Sequence, residues 1–109
     1  MKITTYARKV IDVDTDPERC IGICGFKPND IVEKEDSKKF RVAGVANGVN
    51  DKKAGANEGN NIVVWGWFEN DEKCEAGYLY SKECGANLKE MGFRFVKTFQ
   101  EYMADDCHL

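Results

Sequence analysis

Four aromatic side chains at two-residue spacing are the most chemically suggestive feature of the chain: Trp65 and Trp67 in IVVWGWF, then Tyr78 and Tyr80 in GYLYS. Along a strand, side chains alternate between faces, so the tryptophans share one face and the tyrosines share another. If the two segments pair as a hairpin, one register turns Ile62, Val64, Phe68 and Leu79 inward and gathers Trp65, Trp67, Tyr78 and Tyr80 on the opposite face. Gathered there, the four rings form a candidate ligand-binding surface. They would hold a methylammonium group by cation–π attraction, about 0.5–2 kcal/mol per contact, or line a groove for a polyproline peptide. Glu69, Asp71 and Glu72 beside them would favour a basic ligand. Packing is the competing reading: Trp and Tyr are mostly buried, with the polar tip satisfied at an edge. The other register buries the tryptophans, and a C-terminal segment carrying Phe95, Phe99 and Met103 would make both faces core.

Other chemistry is thinly represented. The single histidine, His108, is penultimate and a poor general base, and no serine or cysteine sits in a G-x-S-x-G turn. GVANGVNDKKAGANEG lacks phosphate-loop spacing and the ligand order of a calcium loop. The five cysteines are an odd number. Cys20-x3-Cys24 with Cys107-His108 is a loose zinc pattern, but Cys74 and Cys84 are ten apart and give no second knuckle. The preferred reading makes Cys20 and Cys24, flanking Ile21 and Ile23, small core thiols. No metal or cofactor is expected, no catalytic residue is assigned, and a non-enzymatic role is favoured over a small enzyme.

Around these residues the chain reads as short strands and turns. Ile3 to Val13 suits a strand. Thr15 and Glu18 have capping-box spacing with Pro17 in the first turn, so one or two helical turns are expected over Pro17 to Ile21, ended by Gly22. KPND turns into a strand at Ile31 and Val32. A second strand runs from about Lys39 to Ala46, with Gly44 marking a bulge or tight bend. Residues 47–61 read as a long polar loop, and Ile62 to Phe68 as the clearest strand. Tyr78 to Ser81 forms a shorter one, and ECGANLKEMG holds a helical turn capped by Gly92. Phe93 and Phe95 alternate as in a strand to about Val96, followed by a short helix around Thr98 to Ala104.

Five or six short strands without long intervening helices predict a mainly β fold: a small antiparallel barrel with helical turns and a short C-terminal helix. At 109 residues the chain is one domain, divided into an N-terminal extension at 1–25, a barrel at 26–96 and a C-terminal segment at 97–109. On GFKPNDIV, RVAGVANG and IVVWGWFEND, over roughly Phe26 to Val96, it resembles the Tudor-like and Src-homology-3-like small barrels. The longer stretch DTDPERCIGICGFKPNDIVEKEDSKKFRVAGVANG is similar to a barrel module of large protozoan multidomain proteins, some of them ubiquitin-ligase-like. Standing alone without catalytic parts, such a module implies interaction with a peptide or partner domain.

The bulk numbers agree with a soluble interaction domain. Apolar residues make up 42% and charged residues 32%. No stretch approaches the roughly 18 apolar residues of a membrane span. The N-terminus lacks a secretory apolar run, so a cytoplasmic location is expected. A net charge of −3 argues against a nucleic-acid partner. The alternative reading, a single-strand-binding barrel, would rely on Lys38, Lys39, Arg41, Lys52 and Lys53 beside the aromatics.

Overall fold

The computed structural model describes residues 1–47, 62–69, 71–79 and 87–106. The fold is mainly β, with two short helices. Two short strands, β1 (Lys2–Thr4) and β2 (Val10–Asp12), form an antiparallel hairpin. A helix, α1 (Pro17–Cys24), follows. The remaining strands are β3 (Asp30–Glu33), β4 (Phe40–Asn47), β5 (Ile62–Phe68), β6 (Gly77–Leu79) and β7 (Arg94–Thr98), and helix α2 (Phe99–Asp106) closes the described chain. The larger sheet is antiparallel, in the order β6-β5-β4-β3-β7. Its two edges, β6 and β7, are not paired with each other among the described residues, so the sheet is open in its hydrogen bonding. Register shifts bend β3 against β7 between Ile31 and Val32, and β4 against β5 between Val42 and Gly44.

The segment expected as one strand from Ile3 to Val13 is instead a hairpin. Its turn is closed by the Arg8 amide donating to the Thr5 carbonyl at 2.9 Å, with Arg8 itself left-handed at φ 60°. Arginine announces no turn, unlike Gly or Asn, and the apolar alternation runs through it. Helix α1 also differs from expectation. Its N-cap is Asp16, whose carboxylate accepts from the Glu18 amide, and not Thr15. It runs through Gly22 and stops at Gly25, left-handed at φ 92°, whose amide donates to Ile21. Solvent surrounds Gly22, and the short helix carries it because packing of Cys20 and Cys24 outweighs the roughly 1 kcal/mol propensity cost.

Both faces of the large sheet are covered. On one, Phe40, Val42, Val45 and Val64 pack with Cys20, Cys24 and Phe26 from α1 and its exit, and with Leu88 and Phe93. On the other, Ala43, Val63 and Trp65 pack beneath Ile3, Ile11 and Val13 of the hairpin. Gly44, expected at a bulge, sits at one, and it admits the hairpin. The Asp14 amide donates to the Val45 carbonyl at 2.9 Å and the Val45 amide to the Asp14 carbonyl at 3.1 Å. A Cβ on Gly44 would strike the Asp14 carbonyl and lie 2.7 Å from the Val13 side chain. Cys20 and Cys24 are core thiols, as expected, with sulfurs 3.6 Å apart and no exposed surface. The hydrogen bond to Cys24 and burial hold the Cys20 thiol well above the usual range. Among the described residues no helix is long and apolar enough to cross a membrane.

Candidate binding site at Arg41 and Trp67

The β5–β6 register is the one that gathers the aromatics: Val64 faces Leu79, Trp65 faces Tyr78 and Gly66 faces Gly77. Val64, Phe68 and Leu79 therefore join one core, and Trp65, Trp67 and Tyr78 fall together on the opposite face. That face is not an open platform. Trp65 is 1% exposed beneath the hairpin and packs on Tyr78 with ring centroids 5.0 Å apart. The cover comes from the N-terminal hairpin, which strand alternation in β5 and β6 could not reveal. Ile62, expected inward, is exposed at its strand end. Tyr80 lies outside the described residues, as do residues 48–61 of the expected polar loop.

Trp67 is more open than Trp65: it is half-buried near the end of β5, against the edge of the Trp65 cluster, and lines a cavity together with Phe99 of α2. Across the sheet, Ile31, Arg41 and Trp67 are neighbours in register on β3, β4 and β5. The Arg41 guanidinium lies 4.0 Å from the centre of the Trp67 ring and 4.2 Å from that of Phe99, the first residue of α2. Phe99 is held over it by a capping box at the helix start. The Thr98 hydroxyl accepts from the Glu101 amide at 3.2 Å, and the Glu101 carboxylate accepts from the Thr98 amide at 3.2 Å. The spacing T-F-Q-E carries that signal in the sequence. Tyr102, one turn on, faces the same space.

These residues enclose a cavity of about 290 Å³, with Ile31, Arg41, Trp67, Phe99 and Tyr102 among its walls. Lys39, Glu69, Asp71 and Cys74 complete its charged and polar rim. A more open depression continues from it past Phe68, Glu69 and Asp71 to Tyr6, Lys38 and Lys73. Together they make a groove with a closed end.

The electrostatics of the closed end are unusual. Arg41 Nε is buried and donates to no acceptor among the described residues. The ion pairs among the described residues are Met1–Asp12, Arg19–Asp14 and Arg94–Glu33, all away from the cavity; none includes Arg41. Burial pushes the Arg41 pKa below its usual range, only partly offset by Cys74. Asp71, on the rim, is engaged elsewhere: one carboxylate oxygen accepts from the Tyr6 hydroxyl and the other from the Lys73 amide at 3.1 Å. That hydrogen bond pushes the Tyr6 phenol up to about 12 and ties the hairpin turn to the rim.

Arg41 takes one face of the Trp67 ring by cation–π attraction from within the protein. The same contact takes Arg41 away from the scattered basic set of the nucleic-acid reading; of the others, Lys52 and Lys53 lie outside the described residues. The chain matches no family model, and no curated protein or solved structure is significantly similar to it.

Proposed function

We propose that the protein is a non-enzymatic interaction module that binds a peptide or an exposed segment of a partner protein, with the Arg41–Trp67 cavity as its anchor. The observation that carries this reading is a half-buried guanidinium, in no ion pair among the described residues, set against two aromatic rings in a cavity that adjoins an open depression. Arginine and tryptophan in such desolvated settings are the residue types that dominate interface energetics. The cavity lies at the low end of ligand-site volumes, roughly 300–1,000 Å³, and suits a single anchoring side chain or chain end. The open depression beside it suits the residues that flank an anchor. A small-barrel architecture belongs to the same reading, since bulges in β3 and β4 are the devices by which short sheets curl.

Of the four aromatics expected to bind, this reading keeps Trp67 as a contact and gives Trp65 and Tyr78 to its support from behind. Selection from a random peptide library on the full chain, followed by amide chemical-shift mapping, tests it. Selected peptides should perturb Arg41, Trp67 and Phe99 most. Selection of no peptide, or perturbation confined to the hairpin or to β7, refutes it.

A further inference from the structure

Resting on that reading, we infer that the ligand presents a carboxylate beside an apolar group: the carboxylate meets Arg41 and the apolar group packs on Trp67, Phe99 and Ile31. Three observations converge. Arg41 is in no ion pair among the described residues and its Nε is sealed without an acceptor there, so the charge is costly and a ligand would meet it through the other N–H groups of the guanidinium. The guanidinium plane is fixed by Trp67 at 4.0 Å and Phe99 at 4.2 Å, so its edge is preorganised for the paired N–H···O geometry that carboxylates accept. Asp71, an acid on the same cavity, forms no ion pair with Arg41 among the described residues and accepts instead from Tyr6 and Lys73.

Charge around the groove is nearly balanced, so it sets the number of charges a ligand can carry and leaves their sign to Arg41. Lys39 stands on the rim with Arg41, and Lys38 and Lys73 line the adjoining depression. None of these lysines is ion-paired among the described residues. Glu69 and Asp71 oppose them on the rim and Glu72 in the depression: they repel carboxylates and admit one negative charge more readily than several. A single carboxylate flanked by apolar substituents satisfies Arg41 and tolerates Glu69; a polyanion does not. The carboxylate can belong to a free chain end or to an Asp or Glu side chain, and these share one chemistry.

The test uses the full chain and matched capped peptides. One pair is acetyl-Leu-Leu-Phe with a free carboxyl end and its carboxamide; the other is acetyl-Leu-Glu-Leu-amide and its Gln counterpart. Affinity is read from amide shifts at Arg41 and Trp67. At least one acid should bind about tenfold or more tighter than its neutral partner, the scale of a charge-assisted hydrogen bond. Whichever pair discriminates identifies the source of the carboxylate. Arg41→Met keeps a stem between the rings and should abolish the discrimination while leaving the folded spectrum intact. Glu69→Gln should raise the ratio of acid to neutral affinity, an effect that simple damage to the fold would not produce. Acids and amides binding equally in the cavity overturn the carboxylate and leave the interaction module standing. Failure of all four peptides to bind overturns the carboxylate, and the library selection then decides the module separately.

Discussion

At the scale of single residues, the two tryptophans two positions apart have different work. Trp65 is sealed between the sheet and the hairpin, whereas Trp67 is half-buried and supports a guanidinium. Trp65→Ala should therefore cost about 3–5 kcal/mol, the range for deleting a large aromatic from a core. Trp67→Ala should cost less than half of that and leave a folded protein, as urea denaturation of the two variants will show. Equal losses would mean that Trp67 is core and not a site residue. Strand alternation in the sequence puts the pair on one face correctly; it cannot say that the face changes cover halfway along. Tyr6 supports a second prediction. Its phenol is raised in the folded state by the Asp71 carboxylate, so the protonated form is favoured by folding. The stabilisation is present below the unfolded pKa near 10 and is lost as pH rises from there towards 12. The parent should lose stability relative to Tyr6→Phe across that window, and parallel profiles would show that the Tyr6–Asp71 bond contributes nothing.

Among the elements, β5 is the most legible: Ile62–Phe68 is a dense apolar run bounded by polar segments, and it forms the strand that pattern demands. The N-terminal hairpin is the least legible, because its turn residue is a left-handed arginine and its strands are three residues each. Yet it decides the fate of the aromatic face. Ile11 packs in the cluster that contains Trp65, so Ile11→Asp places a charge against an apolar contact and should lift the hairpin. In a Trp67→Phe background, where Trp65 is the sole reporter, acrylamide quenching should then rise severalfold. Unchanged quenching would show that something other than the hairpin shields Trp65. The start of α2 was legible in principle, since Thr98 and Glu101 have capping-box spacing, and this short motif fixes Phe99 over Arg41.

For the molecule as a whole, the succession of short strands without long helices points to a mainly β domain, and the structure has one, assembled as an open five-stranded sheet between two apolar layers. The candidate site was less legible, because it is made by three distant parts of the chain. Arg41 reads in sequence as one of several scattered basic residues, and only the register with Trp67 and the docking of α2 set it against two rings, with no ion pair among the described residues. Local patterns identify strands and faces; they do not identify which charge on a strand is left without a partner. The central claim is that this cavity is where the protein meets its ligand. The most direct measurement is an amide chemical-shift titration of the full chain with a library-selected peptide, repeated on Arg41→Met. The account predicts that the largest shifts fall on Lys39, Arg41, Trp67, Phe99 and Tyr102 and that affinity drops about tenfold or more in the variant. Shifts centred elsewhere, or a variant that binds as the parent does, would contradict it.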